Sequence, residues 1–278
     1  MLATFVIGLR EGLEASLIVG IVAAFLVQRG QRRALRSVWA GVVLAVLLCV
    51  GAAAALQVAT QQLPQRQQEQ LETVLALVAV AMVTYMIVWM TRHARSMRSD
   101  LEASASSALA KGSAWALVAM AFLAVLREGL ETSVFLLATY QASGSNAEGA
   151  VGASLGILLA VGLGYLVYRG GITLNLARLF RVTGVLLVLV AAGLVMSAAH
   201  TAYEAGWLLA GQAQALDLST VVEPGTVRAA LLMGVLGWQP RPTVAEVIGW
   251  LVYLVPMLVV VLWPRRSRQP AAPQPVSV

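Results

Sequence analysis

Residues 5–27 read FVIGLREGLEASLIVGIVAAFLV. Length and apolar content are those of a membrane-crossing helix, which needs about 20 mostly apolar residues. Yet Arg10, Glu11 and Glu14 fall inside it. Residues 122–140, FLAVLREGLETSVFLLATY, repeat the arrangement with Arg127, Glu128 and Glu131. Six charges at this depth would cost about 15–20 kcal/mol on the insertion scale if left unpaired. They must therefore face each other, water or a cation.

The surrounding composition agrees with a lipid-embedded chain. Of 278 residues, 59% are hydrophobic and 12% charged, and the mean hydropathy is +0.81. A soluble domain has no use for that much apolar surface. Seven stretches are long enough to span: 2–27, 35–58, 71–91, 114–140, 148–168, 182–200 and 246–263. Their apolar runs are continuous rather than alternating, which excludes a β-barrel. The first stretch lacks a basic leader and is broken by three charges, so it reads as a retained helix and not a signal peptide. The single cysteine, Cys49, lies in the second stretch and reads as a small packed residue.

The net charge of +6 is a topology signal, not a nucleic-acid footprint. Arg29, Arg32, Arg33 and Arg36 follow the first span, and Arg92, Arg95, Arg98 and Lys111 follow the third. Arg169, Arg178 and Arg181 follow the fifth, and Arg265, Arg266 and Arg268 the seventh. The opposite side holds only Arg66, Arg228 and Arg241. The positive-inside rule then places the N-terminus outside and the C-terminus in the cytoplasm. Most acids outside the spans, Glu69, Glu72, Glu148, Glu204, Asp217, Glu223 and Glu246, fall on the outer side, where they can concentrate cations.

Arg10 and Arg127 stand 117 positions apart, and at that offset FVIGLREGLEAS faces FLAVLREGLETS. A repeated pentapeptide points to internal duplication. Three spans separate the copies, so the second runs the other way through the membrane. The expected fold class is therefore an all-α polytopic membrane protein of seven transmembrane helices, with an inverted-topology 3+3 repeat plus one additional helix. Residues 1–91 form the first repeat, 92–113 a cytoplasmic linker and 114–200 the inverted second repeat. Residues 201–245 form an extracytoplasmic loop, 246–263 the seventh helix and 264–278 a disordered, proline-rich cytoplasmic tail. Within the loop, TVRAALLMGVLGW at 226–238 is too short to span and lies on or dips into the interface. Inverted repeats commonly hold a substrate at their interface near the midplane.

The chemistry of the motif fits a cation. Glutamates at i and i+3 share a helix face, and each arginine reaches the glutamate one turn on. Gly12 and Gly129 remove side chains beside the acids, so the two helices are expected to cross closely there. Four glutamates and two arginines leave a net charge of −2, which a di- or trivalent ion balances. All-oxygen ligation suits hard metals such as Fe³⁺, Mn²⁺ and Mg²⁺.

The paired REGLE helices resemble the oxidase-dependent high-affinity iron permeases, the fungal ferric permeases and bacterial EfeU-type iron permeases. HTAYEAGWL at 200–208 and GWQPRPTVAEVIGWLVYL at 237–254 extend the resemblance over essentially the whole chain. The resemblance implies a high-affinity iron permease of the inner (cytoplasmic) membrane, moving iron into the cell, with Glu11, Glu14, Glu128 and Glu131 as the transport residues. Arg10, Arg127, Gly12 and Gly129 support them. It also implies a Glu-x-x-Glu on the outer side, to which EQLE at 69–72 is similar, giving Glu69 and Glu72. His200 and Glu204, at i and i+4 on the outer end of the sixth span, are positioned to co-ligate an incoming ion. Iron, as Fe²⁺ or Fe³⁺, is then a transported substrate, with no permanently bound cofactor. By family analogy the partners are a periplasmic iron-binding protein and a haem peroxidase or an oxidase, besides membrane lipid; nucleic acid is not among them.

Other readings stay open on the residues alone. One is a transporter of another heavy divalent metal, lead or manganese. Another is an intramembrane carboxylate metal-redox enzyme, although such sites use Glu-x-x-His pairs and this chain has two histidines, His93 and His200. A third is a structural subunit. No Walker A loop occurs. Trp89, Trp207, Trp250 and Trp263 near span ends read as interfacial anchors.

Overall fold

The structure, a computed structural model, describes residues 1–28, 30–61, 63–93, 114–143, 146–169, 176–219 and 236–262, with residues 222, 226, 229, 232 and 233 between the last two ranges. Seven long helices account for most of them: α1 (Leu2–Gln28), α2 (Arg32–Gln61), α3 (Gln65–His93), α4 (Ala114–Ser143), α5 (Asn146–Tyr168), α6 (Leu176–Glu204) and α7 (Val244–Leu262). Five carry windows apolar enough to cross a membrane, Ala34–Val58, Gln65–Met90, Glu148–Leu166, Arg181–Glu204 and Val244–Leu262. α1 and α4 match them in length at 27 and 30 residues. Among the described residues there is no strand, only an isolated bridge between Gln214 and Thr243.

The helices overrun the apolar runs that mark them. α3 starts at Gln65 and α6 continues to Glu204, because polar side chains extend a helix into the headgroup layer at no desolvation cost. α6 then stops at Gly206, whose φ of 79° a residue with a Cβ rarely adopts. There Gly206 N–H donates to Tyr203 O (2.9 Å) and Trp207 N–H to Ala202 O (2.8 Å), satisfying the last carbonyls. The outward faces are what lipid requires: Val43, Leu44 and Leu47 of α2 and Leu155 and Leu158 of α5 are all exposed.

Packing joins the two halves rather than separating them. α1 lies along α5, α2 along α4 and α3 along α6, while α1 also crosses α4. Exchanging α1–α3 with α4–α6 maps each of these pairings onto another or onto itself. Along α1 and α5 the contacts advance together, from Gly8 beside Ala153 to Gly12 beside Ala160 and Ser16 beside Gly164, so the two run parallel. α2 and α4 are likewise parallel, with Gly41 beside Val118 and Cys49 beside Gly129. α3 and α6 run antiparallel, with Thr73 bonded to Thr201 and Arg66 Nε donating to Ala205 O. α7 packs on α6 and, less extensively, on α3. The main core gathers Val80 and Val83 of α3, Phe135 of α4, Leu187 and Leu194 of α6 and Leu254 and Met257 of α7.

Between α6 and α7, Gly237 packs directly on α6. Its backbone, at φ 70°, lies against Gly193 of α6, where a Cβ on Gly237 would come within 2.5 Å of Gly193 Cα. Trp250, expected as an interfacial anchor, pins this segment instead. Its Nε1–H donates to Leu236 O at 3.1 Å, and its ring meets Trp238 edge to face at 5.3 Å. Most of 226–238, nearly all of the 92–113 linker and the tail 264–278 lie outside the described residues. So do many arginines of the orientation argument, among them Arg29, Arg95, Arg98, Arg265, Arg266 and Arg268.

Candidate metal centre

The two REGLE motifs meet where α1 crosses α4. Arg10 Nη2 lies 3.4 Å from Glu14 Oε1 and Arg10 Nη1 lies 3.8 Å from Glu11 Oε1. On α4, Arg127 Nε donates to Glu131 Oε1 at 2.9 Å and stands 4.0 Å from Glu128 Oε1. Both arginines thus bind within their own motif, one turn on, as i to i+4 spacing dictates. The carboxylates reach across. Glu11, Glu128 and Glu131 each offer an oxygen, and the three oxygens lie within 4.8 Å of one another. With metal–oxygen bonds of about 2.1 Å, oxygens on opposite sides of one hard ion are about 4.2 Å apart. A side-chain adjustment of less than about 1 Å closes that gap. Glu14 is paired to Arg10 and stands outside that trio.

Burial makes the trio reactive toward a cation. Glu11, Glu14 and Glu128 are 1%, 5% and 5% exposed. Both oxygens of Glu11, Oε1 of Glu14 and Oε2 of Glu128 have no hydrogen-bond partner, nor do Nε and Nη1 of Arg10. An unsatisfied buried carboxylate oxygen costs more than a neutral group, above about 1–3 kcal/mol. Coordination of a hard cation recovers that cost.

The glycines act differently from the expectation. Neither Gly12 nor Gly129 forms the α1–α4 crossing. A Cβ on Gly12 would come within 2.8 Å of Ala160 Cβ on α5, and one on Gly129 within 2.5 Å of Cys49 Sγ on α2. Each therefore seats its REGLE helix on a parallel helix of the other half. The physical reason is geometry: Gly12 follows Glu11 by 100° around the helix, so it faces sideways when the acid faces α4. The serine shared by both copies marks the same seams. Ser16 Oγ donates to Ala160 O at 3.2 Å, and Ser133 Oγ to Cys49 O at 3.5 Å.

A cavity of about 490 Å³ opens beside the glutamates, with Glu11, Glu128, Cys49, Gln57, Thr132 and Ser133 as its polar lining. A second, small pocket of about 60 Å³ lies between the N-terminal part of α3 and the C-terminal part of α6. The four outer residues singled out in the sequence gather around it. Glu72 and His200 line it, Gln68 Nε2 donates to Glu72 Oε1 at 3.1 Å, His200 Nε2 is 3.6 Å from Glu204 Oε1, and Glu69 lies beside Glu204. Sequence reasoning missed Glu246 as a member of this cluster. It is 3% exposed, and its Oε1 lies 2.9 Å from His200 Nδ1. Its Oε2 accepts from Thr243 N–H at 3.0 Å while Thr243 Oγ1 accepts from Glu246 N–H at 3.4 Å. That reciprocal pair is a capping box, and TVAE at 243–246 is its readable signature.

Comparison with known proteins places this arrangement. The Iron permease FTR1 family matches residues 1–266. The chain is 41% identical over 269 residues to the Ferrous iron permease EfeU of Escherichia coli O6:H1, covering 96% of this chain and 97% of that one. It is 42% identical over 272 residues to the protein of that name from Yersinia pestis, covering 96% and 95%. The Shigella sonnei protein of the same name is 41% identical over 269 residues. No solved structure matches the chain.

Proposed function

The chain belongs to the FTR1 iron permease family, and from that premise we propose that it carries iron, in the ferrous form its relatives are named for, across the cytoplasmic membrane into the cell. The transport site in this reading is Glu11, Glu14, Glu128 and Glu131. The observation that carries it is the approach of Glu11 to Glu128 and Glu131, from opposite halves of the chain, to within one ion's reach. A carboxylate set built from both halves changes its spacing whenever the halves shift, so binding and release follow from the same movement.

The pairing of helices supports an inverted repeat of α1–α3 and α4–α6, with α7 added. The parallel course of α1 with α5 and of α2 with α4 is what seven successive crossings produce, and the positive-inside bias of the sequence sets their direction. In that frame the N-terminus is outside, the C-terminus is cytoplasmic, and Glu69, Glu72, His200 and Glu204 form an acidic outer patch that concentrates ions at the membrane surface. Arg10 and Arg127 are the positive partners of these acids within each motif. A periplasmic iron-binding protein and a haem peroxidase or oxidase are the partners the family suggests. They would deliver iron to the acidic outer face.

Uptake of radio-iron by proteoliposomes of the purified chain tests the reading. Saturable ferrous uptake is expected, with manganese and lead as weaker competitors, and with none in a variant carrying glutamine at all four positions. Equal uptake by that variant, or a preference for lead or manganese over iron, overturns it.

A further inference from the structure

We propose that iron reaches the glutamates through the cavity between α1, α2 and α4, and not through the small pocket at His200. This rests on the transport reading above and adds the route. Three features of the molecule carry it.

The first is what the cavity touches. Its lining includes Glu11 and Glu128, whose oxygens are more than nine-tenths buried and partly without hydrogen bonds. The small outer pocket reaches neither. On α4 it extends to Ala138, seven residues and about 10 Å from Glu131. Between them Phe135 is completely buried, in the core that also holds Val80 and Leu194. An ion at His200 would have to pass that apolar layer.

The second is size. The cavity holds about 490 Å³ and the outer pocket about 60 Å³, so the cavity is the roomier approach for a hydrated cation.

The third is direction and wall chemistry. On α2 the lining residues Val46, Cys49, Val50, Ala53 and Gln57 recur every three or four positions, forming one stripe about 16 Å long. It runs from the level of the glutamates toward Gln57, four residues before α2 ends. On α4 it runs likewise from Val125 to Leu137. Both helices head outward in the proposed topology. The wall mixes small apolar side chains with the uncharged polar groups of Cys49, Gln57, Thr132 and Ser133, so it carries no carboxylate to trap an ion before Glu11 and Glu128. That is the property of a passage rather than of a binding site. Cys49, the one cysteine of the chain, marks its wall.

The single thiol makes the test direct. Full-length protein in oriented proteoliposomes is treated with a membrane-impermeant cationic methanethiosulfonate, and the added mass on Cys49 is measured together with iron uptake. We expect labelling from the outer face, slowed by ferrous iron, with uptake falling to the level of protein-free liposomes. In a Cys49→Ala background, Gln57→Cys should label faster than Cys49 does in the native chain, because it lies nearer the opening. Labelling from the cytoplasmic face alone overturns the proposal. So does labelling by a lipid-soluble maleimide alone, which would show that acyl chains fill the cavity. Ala76→Cys in the same background reports on the outer pocket; a block of uptake on its modification, with uptake surviving modification of Cys49, assigns the route there instead. A chain that moves no iron under any condition fails the transport reading, whereas one that moves iron with Cys49 unlabelled from outside fails only the route.

Discussion

Arg10 and Arg127 occupy the same place in two identical motifs, yet Arg10 is 1% exposed and the Arg127 side chain 56%. The difference extends along the whole helix face. Val6 and Leu13 are 4% and 1% exposed, while their repeat equivalents Leu123 and Leu130 are 59% and 42% exposed. Ala3, Val6, Ile7 and Leu17 of α1 belong to the core that includes Leu254, Met257 and Val261 of α7. The contact pattern of the halves is therefore symmetric while their burial is not.

From this follows an unequal cost of removing the two arginines. Arg10→Ala leaves Glu11 and Glu14 buried without a cation, a change of about 3–5 kcal/mol for a buried pair. Arg127→Ala removes a half-solvated charge and should lower the melting temperature less. Thermal unfolding in detergent measures both; equal shifts would mean that burial does not set the cost.

The glutamates should divide as the geometry divides them. Glu11→Gln, Glu128→Gln and Glu131→Gln each delete one of the three converging charges and should nearly abolish uptake at normal membrane levels. Glu14→Gln leaves the trio intact and should retain partial uptake with weakened affinity. Radio-iron uptake at matched expression decides, and wild-type behaviour of Glu128→Gln would sink the shared site.

Around His200, neutralising Glu69, Glu72, Glu204 or His200 should raise the apparent KM with little effect on maximal rate, because it lowers the ion concentration near that surface. Their fields are screened within about 8 Å at physiological salt, so they gather ions without acting at the deep site. Glu246→Gln keeps the capping box, since glutamine also serves at that position, and so isolates the His200 contact. Glu246→Ala loses the cap as well and should cost about 1 kcal/mol more in stability. A KM unchanged in Glu246→Gln, with all loss appearing in Glu246→Ala, would make the residue purely structural.

The seat of Gly129 on Cys49 predicts coupling. Gly129→Ala pushes a methyl against Cys49 Sγ and should destabilise the α2–α4 seam. Adding Cys49→Ala removes the clashing sulfur and should recover part of the loss, with an interaction energy of about 0.5–3 kcal/mol in a double-mutant cycle. Strict additivity of the two changes would show that the helices separate there by other means.

Much of this was readable in the sequence because hydrophobic length and charge report directly on lipid. The seven helices and the repeated REGLE stretch around Arg10 and Arg127 needed no coordinates. Small residues were a coarser signal. Gly12 and Gly129 announce a close approach, but a sequence does not say to which neighbour. The complementary seam on α5, Gly152, Gly156, Ala160 and Gly164, was equally visible and went unmatched, because parallel pairing across halves has no local signature. Glu246 hid behind its capping role, although TVAE spelled it out. The contrast between the arginines was beyond reach, since identical motifs differ only through what the rest of the fold packs around them.

The pairing of α1 with α5 has a consequence for synthesis. The first helix leaves the ribosome with Arg10, Glu11 and Glu14 in place, while its glycine seam waits for a helix that ends at Tyr168. At about 5–20 residues per second, that interval is on the order of ten seconds. During it the nascent chain holds charged groups at membrane depth with neither their seam nor the opposing carboxylates present. Retention near the translocon, or a chaperone that shields α1, is thus a requirement of the topology. A chain truncated before residue 146 should be cleared by membrane proteases, however sound its first three helices are.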